Sequence, residues 1–244
     1  MRRRPRSLSL LATLAVLAGP ATAVAGEVKA VVELFTSQGC SSCPKADKLL
    51  GELTANPQLI PLTLAVDYWD YLGWRDTLAL HAHSSRQKGY SGARGDRHVY
   101  TPQVVLNGAA EAIGNDRYAV ERAIAKVDAK NLLTIPVALK RTDSNLEIEV
   151  GAGNAPAGSV WILSVLQKQP VIIERGENRG KTITYHNVVR GWTRLAEWKG
   201  SAVKKTQSIA EIAQSGADSI VVILQSGSVE SPGPIRGAAM IALR

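Results

Sequence analysis

The chain of 244 residues contains only two cysteines, Cys40 and Cys43. Two cysteines cannot form the several disulfides that hold small secreted domains together, so the fold must depend on an ordinary hydrophobic core. Aromatic residues make up only 5% of the chain, and five of them are tryptophan. These few aromatics are therefore expected in local clusters, while the 45% hydrophobic content supplies a packed core and excludes wholesale disorder.

The sequence also lacks an apolar run of the roughly 20 residues that a membrane-spanning helix needs. The one candidate, residues 8–18, is shorter and ends at Gly19-Pro20. It follows an arginine-rich start and precedes the small-residue pattern Ala23-Val24-Ala25, so residues 1–25 are predicted to be an export signal peptide. The protein is expected to be periplasmic or secreted, with no stable membrane span once the signal is removed.

A concentrated positive charge is missing as well. The formal net charge is +8, but half of it comes from four arginines in the predicted signal, and the other basic residues are scattered. The charge pattern therefore gives no reason to expect a nucleic acid as a partner.

The chain is expected to form two domains because its pattern changes near Leu132. Residues 26–131 predict an α/β domain in which strands over 30–35 and 62–66 flank a helix. Residues 132–244 predict an all-β, antiparallel, sandwich-like domain, because short β-rich runs alternate with Gly, Pro and Ser turns.

Three further elements are predicted in the first domain after the second strand. An insertion near residues 68–97 contains a helix over 76–88. Asn107-Gly108 is the strongest short-range signal for a β-hairpin, and a last helix is predicted over 116–129.

The two cysteines form a CxxC motif, Cys40-Ser41-Ser42-Cys43, between the first strand and the first helix. Cys40 is expected to be exposed at the helix N-terminus, where unpaired backbone N–H groups and the helix dipole favour a thiolate. Cys40 is thus the candidate nucleophile, and the spacing lets Cys43 act as the resolving thiol.

Two other uses of the cysteine pair remain open. As a structural staple, a four-residue loop would contribute only about 2 kcal/mol in the chain-entropy model. A zinc site normally needs four ligands, and none of the four histidines stands at a ligand spacing from the pair. Copper(I), which accepts two thiolates, is the more plausible metal. No cofactor is predicted.

Asp67 follows the second strand at the sheet edge where the CxxC motif is expected, because parallel strands place their carboxyl ends together. It is a candidate proton acceptor for Cys43, provided that burial raises its pKa. The alternative is a carboxylate that only fixes a turn or a helix start.

Tyr68 and Trp69 open an aromatic cluster that also contains Tyr71 and Trp74. Such a cluster either packs in the core or lines a substrate cleft beside the cysteines. We assign Tyr68 and Trp69 a candidate substrate-binding role on the second interpretation.

The order strand, CxxC, helix, strand, insertion, X-Pro, hairpin, helix resembles the thioredoxin superfamily. The resemblance implies a thioredoxin-like N-terminal domain in which Thr101-Pro102 is a cis-proline pair facing the cysteines and binding the substrate backbone. The chain resembles more closely the DUF1223 family of exported bacterial thioredoxin-like proteins. The residues that carry this second resemblance are Glu33-Leu34-Phe35-Thr36-Ser37-Gln38-Gly39-Cys40-Ser41-Ser42-Cys43-Pro44, Val66-Asp67-Tyr68-Trp69-Asp70-Tyr71-Leu72-Gly73-Trp74, Val99-Tyr100-Thr101-Pro102-Gln103, Gly176-Glu177-Asn178-Arg179-Gly180 and Tyr185-His186-Asn187-Val188-Val189-Arg190.

The sequence therefore favours an envelope thiol–disulfide oxidoreductase whose partners are protein or peptide thiols and disulfides. The alternative is a non-enzymatic binding module, either a copper(I) carrier or a protein-interaction domain with a vestigial redox centre.

Overall fold

The computed structural model describes residues 28–213, 216–227 and 231–243. The predicted signal peptide, residues 1–25, lies outside this part of the chain. Among the described residues, no helix has both the length and the apolar character needed to cross a membrane.

The N-terminal half is built on a βαβ unit followed by a hairpin. Its elements are β1 (Ala30–Thr36), α1 (Cys43–Leu53), β2 (Leu59–Ala65), the 3-10 turn Asp70–Leu72, α2 (His81–Arg94), β3 (Gln103–Leu106), β4 (Ala110–Ile113) and α3 (Arg117–Ala129). β1 pairs with β2 in parallel and with β3 antiparallel. Asn107 and Gly108 have positive φ angles of 49° and 63°, as the predicted hairpin turn requires.

The helix of the insertion begins at His81 rather than at Asp76. The Asp76 carboxylate accepts hydrogen bonds from the backbone N–H groups of Leu78 and Gln38, both at 2.8 Å. These bonds hold residues 76–79 as a turn against the loop before Cys40, so the helix starts only after that turn.

The C-terminal half consists mainly of long antiparallel strands. Its elements are β5 (Val137–Arg141), β6 (Asn145–Val150), β7 (Gly158–Ile172), β8 (Thr182–Trp198), β9 (Val203–Ser208), the short helix α4 (Ile209–Ile212), β10 (Ser219–Gly227) and β11 (Pro232–Ala242). β7 is a single strand of 15 residues that pairs with β8 along its length.

The two halves share one mixed sheet. Within the described residues its strand order is β11-β10-β7-β8-β2-β1-β3-β4, and β5, β6 and β9 form a separate small antiparallel sheet. β8 joins β2 in parallel at the pair Thr63–Val188. The Thr63 hydroxyl donates to the His186 carbonyl at 2.7 Å, and Asn187 Nδ2 donates to the Pro61 carbonyl at 2.9 Å.

The small sheet packs on the C-terminal part of the large sheet, which produces the two β layers expected of a sandwich. Leu146, Ile148 and Val150 of β6 are buried against residues of β7 and β10. One difference from the expected all-β domain is that its larger layer continues into the N-terminal strands. The sandwich is therefore not closed off from the α/β half.

The main core also crosses from one half to the other. One cluster combines Val31 and Phe35 of β1 with Val189 of β8 and Val221 and Ile223 of β10. On the opposite face of the sheet, a second cluster packs beneath α1 and α3 and contains only N-terminal residues. One side of the N-terminal sheet thus depends on C-terminal side chains for its burial.

The sequence pattern predicts a domain boundary at residue 131, whereas the shared sheet and core indicate that the two halves fold together, and a fragment of residues 26–131 tests which is right. We expect this fragment to lose cooperative thermal unfolding followed by circular dichroism, because β2 becomes an open edge and the shared core loses its C-terminal side chains. The full chain is the control. A sharp, reversible transition in the fragment would instead show that residues 26–131 fold independently.

Candidate functional site

The site is centred on a disulfide between Cys40 and Cys43, whose Cα atoms are 5.4 Å apart. It lies where β1 ends and α1 begins. Cys43 is the first helical residue, with Ser42 as N-cap and Pro44 in the first turn, where a missing N–H costs little. The backbone N–H of Cys43 donates to the Cys40 carbonyl at 3.2 Å, which closes the loop.

Both cysteines are buried, and the expectation of an exposed Cys40 is wrong. Only 2% of Cys40 and none of Cys43 is accessible. Cys40 precedes α1 instead of opening it, and the loop that carries it is covered by neighbouring segments. On one side, the Trp69 side chain packs so closely on Gly39 that a Cβ there would lie 3.2 Å from Trp69 Cβ.

Gln38 connects the CxxC loop to the insertion. Its backbone N–H donates to Asp76, and its side-chain oxygen accepts from Trp74 Nε1 at 2.8 Å. The residue is completely buried. The insertion over residues 68–97 therefore holds the loop before Cys40 in place.

The connection between β7 and β8, residues 173–181, covers the CxxC loop from the C-terminal half, and we call it the hairpin cap. Asn178 Nδ2 donates to the carbonyls of Gln38 at 2.9 Å and Cys40 at 2.8 Å. The Glu177 carboxylate accepts from the backbone N–H of Ser41 at 3.2 Å. Side chains far away in sequence thus bind the backbone on both sides of the Cys40 sulfur.

A buried acid, Asp47, lies one helical turn after Cys43. Residues four apart share a face of a helix, and both side chains are on the buried face of α1. Burial raises the pKa of Asp47 to about 8. The hydrogen bond that Thr36 donates to the carboxylate acts to lower this pKa, and the nearby charge of Asp76 acts to raise it. Its Oδ2 atom has no hydrogen-bond partner among the described residues. Near neutral pH this group is a protonated acid that can release its proton.

Two more ionisable groups lie in the same buried region. Burial raises the pKa of Asp76, although backbone N–H groups donate to its carboxylate. Burial also raises the pKa of Tyr185 on β8, and the charges of Asp47 and Asp76 add to that effect. The interior next to the disulfide therefore disfavours negative charge.

Asp67, the acid singled out from the sequence, has a different environment. Its carboxylate accepts from Ser84 and is 2.8 Å from His81 Nδ1, and both residues belong to the first turn of α2. Partial burial acts to raise the pKa of Asp67, but the hydrogen bonds from Ser84 and His81 outweigh it and lower the pKa. Asp67 is an ionised anchor for α2 at neutral pH.

The predicted substrate-binding residues lie together beside the disulfide loop. The Thr101–Pro102 bond is cis, as expected. Trp69 links the two regions, because it packs on Gly39 and its Nε1 donates to Thr101 Oγ1 at 2.8 Å. Tyr68 is half-buried and donates to Gln87 at 3.1 Å, and burial raises the pKa of Tyr68 to about 12.

Pro102 approaches the first turns of α1 from the other side. A Cβ on Gly114 would lie 3.1 Å from Pro102 Cβ and 3.3 Å from Ala46 Cβ, so the proline and the helix meet across this glycine. Only a residue without a side chain fits between them.

Metal ligands are not gathered around the cysteines. Within the part of the chain that the structure describes, no group of three or more His, Cys, Asp or Glu side chains is placed to hold a metal ion. The copper(I) alternative needs only the two thiolates and stays a prediction.

Comparisons with known proteins place the chain in a family. A family model described as "Protein of unknown function (DUF1223)" matches residues 31–225. The chain belongs to the DUF1223 family. This DUF1223 protein is similar to the crystal structure of AGR_C_4864 from Agrobacterium tumefaciens, with 33% identity and a TM-score of 0.79 over 90% of this chain and 96% of the other.

A second solved structure shares the fold at a greater distance. The chain resembles HBP35 of Porphyromonas gingivalis with 11% identity and a TM-score of 0.59, over 89% of this chain and 76% of the other. At this identity the likeness concerns the fold alone. None of the curated proteins matches the chain.

Sequence reasoning overlooked Asp47 and Asn178. The spacing of four residues from Cys43 is a signal for Asp47 that an inspection of the helix face would have found. Asn178 offers no such signal, because 138 residues separate it from the Cys40 carbonyl that it binds. Only the long-range pairing of β8 with β2 brings it to the site.

The raised pKa of Asp47 predicts a stability that depends on pH. The folded protein keeps the Asp47 proton up to about pH 8, whereas the unfolded chain releases it near 3.8. The group therefore stabilises the fold at low pH, and this contribution is lost as the pH rises from 4 to 8. Relative to Asp47→Asn, the wild type should lose on the order of 1 kcal/mol of unfolding free energy per pH unit in that window.

Urea unfolding at several pH values measures this difference. Asp67→Asn is the matched control, because a lowered pKa leaves no titration of Asp67 between pH 5 and 8. Parallel stability profiles for the wild type and Asp47→Asn would contradict the assignment.

Proposed function

We propose that this DUF1223 protein is an exported thiol–disulfide oxidoreductase with a thioredoxin-like arrangement of its N-terminal half. The observation that carries the proposal is the Cys40–Cys43 disulfide between β1 and α1, next to the buried acid Asp47. The order of elements and the placement of Thr101-Pro102 beside the loop support it. The periplasm or the cell exterior is the compartment that the signal-like N-terminus and the oxidised pair suggest.

The exchange begins with attack by a partner thiolate on Cys40 Sγ. The Cys40–Cys43 bond breaks, its electron pair leaves with Cys43 Sγ, and Asp47 supplies the proton. A second partner thiolate then attacks the partner sulfur of the mixed disulfide, and Cys40 departs. The partner dithiol has become a disulfide, and the protein has become a dithiol. In the reverse direction Cys40 attacks a partner disulfide, the carboxylate form of Asp47 accepts the Cys43 proton, and the Cys43 thiolate then resolves the adduct and releases the second partner thiolate.

We assign proton transfer to Asp47 rather than to Asp67. A group that exchanges protons near neutrality needs a pKa close to the working pH, and Asp47 meets this condition. Asp67 stays ionised and holds the start of α2. Its role as proton acceptor would require the loss of the contacts that lower its pKa.

The surroundings favour a polypeptide partner. We assign the backbone of Thr101 as the pairing site for an extended substrate, with the half-buried side chains of Trp69 and Tyr68 as the adjacent wall. A groove of about 640 Å³ opens on the other side of the cysteines between α1 and β8, and Pro44, Lys48 and Thr184 contribute to its lining. Together these features accommodate a peptide segment that carries the target disulfide or thiols.

Trapping of partners tests the function and the roles of the cysteines. Cys43→Ser should accumulate mixed disulfides with envelope proteins, because it keeps the nucleophile and lacks the resolving thiol. Non-reducing electrophoresis should show these adducts, and reduction should remove them. The matched variant Cys40→Ser should trap none.

Two results would change the assignment. Adducts formed by Cys40→Ser alone would reverse the roles of the two cysteines. Adducts from neither variant, with one equivalent of copper(I) retained by the reduced wild type, would favour the copper carrier.

The role of Asp47 predicts a kinetic defect. Asp47→Asn should be reduced by dithiothreitol about a hundredfold more slowly than the wild type at pH 7, because Cys43 leaves without a proton donor. Stopped-flow tryptophan fluorescence gives the rate, and Asp67→Asn should retain the wild-type value. Equal rates for Asp47→Asn and the wild type would remove Asp47 from the mechanism.

A further inference from the structure

The hairpin cap binds the CxxC loop through the side chain of Asn178, whose nitrogen and oxygen atoms both take part in hydrogen bonds. The Asn178 side chain is completely buried, and both of its described donor bonds go to the carbonyls of Gln38 and Cys40. Its oxygen accepts from Lys181 Nζ at 2.9 Å. Loss of Asn178 would remove its amide donor from the Gln38 carbonyl and would leave the Cys40 carbonyl with the longer 3.2 Å bond from the Cys43 N–H, so these contacts hold the cap closed.

The cap is a preformed loop. Gly176 and Gly180 have φ angles of 75° and 80°, which side chains rarely tolerate, and the Gly180 N–H donates to the Ile173 carbonyl at 2.8 Å. Ile173 is fully buried in an apolar cluster with Leu78 and Tyr185. Asn178 is thus presented to the CxxC loop from a structured turn at the end of a long hairpin.

An attacking thiolate has to reach a sulfur atom, and only 2% of Cys40 is accessible while the cap is bound to the loop. We propose that Asn178 is a positioning residue that keeps the hairpin cap closed over Cys40, and that an extended polypeptide partner displaces the cap in order to react. The proposal rests on the proposed function and names the class of substrate for the same site.

The groups beneath the cap explain why such a partner is an extended polypeptide. Displacement frees the N–H of Ser41 and the carbonyls of Gln38 and Cys40, which the cap occupies in the closed structure. A donor and two acceptors on neighbouring residues match the main chain of an extended segment. A small thiol cannot replace these hydrogen bonds, so it should react slowly with the closed protein.

Reduction of the full-length disulfide protein by dithiothreitol tests the cap. One dithiothreitol thiolate attacks Cys40 and releases Cys43, and the second thiol then closes the cyclic disulfide of the reagent and releases Cys40. Asn178→Ala should raise the second-order rate constant about tenfold, because opening no longer breaks two buried hydrogen bonds. Asn115→Ala is the matched control, since exposed Asn115 donates only a 3.4 Å bond to the Ser42 carbonyl of the same loop. It should react at the wild-type rate.

The outcomes separate the cap from simple loosening of the fold. A merely structural role would lower the thermal transition temperature without raising the reduction rate well below it. An unchanged rate in folded Asn178→Ala, or an equal rise in Asn115→Ala, would overturn the proposal. If Asn178→Ala does not fold, Lys181→Met decides, because Lys181 is exposed and its loss frees the Asn178 oxygen. A faster reduction of that variant supports the cap, and a wild-type rate overturns it.

Failure of the cap is distinguishable from failure of the proposed function. If Cys43→Ser traps no partner while Asn178→Ala still accelerates reduction by dithiothreitol, the cap is supported and the oxidoreductase is not. If Cys43→Ser traps partners and Asn178→Ala is reduced at the wild-type rate, the oxidoreductase is supported and the cap is not.

Discussion

The parallel contact between β2 and β8 is the constraint on which the rest of the structure depends. It consists of the pair Thr63–Val188, reinforced by the side chains of Thr63 and Asn187. This contact joins a βαβ unit to a set of long antiparallel strands and makes one sheet of them. It also fixes the direction in which the β7–β8 hairpin extends, and that direction leads over the CxxC loop. The C-terminal half is therefore part of the disulfide site.

Two electrostatic influences meet at the disulfide. The start of α1 offers backbone N–H groups that favour a thiolate, whereas the buried face of α1 carries Asp47 one turn after Cys43, and burial raises the pKa of Asp47. The helix start favours negative charge, and the buried acid favours a proton on the side of Cys43. The placement of a buried acid beside only one of the two cysteines supports the proposal that Cys40 and Cys43 have different roles.

Sequence patterns predicted the elements whose signals are local. The βαβ unit, the hairpin at Asn107-Gly108 and the last helix follow from periodicity and turn chemistry within short windows. The enclosure of Cys40 could not be predicted, because its covering residues come from the insertion and from the hairpin cap. The environment of Asp67 also depends on tertiary structure, since the helix turn that binds it begins at His81 and not at Asp76. The sequence thus indicated which residues could carry chemistry, whereas the burial of Cys40 and the contacts of Asp67 depend on segments that are distant in the sequence.

The distance along the chain between the cysteines and the segments that cover them has a consequence for the order of events during folding. The cysteines are three residues apart, so their bond can form as soon as the first turn of α1 is present. The contact between β2 and β8 spans more than a hundred residues, and such non-local pairings form late in folding. The folding chain thus passes through a period in which the cysteine pair is open to oxidants, and docking of β8 ends that period.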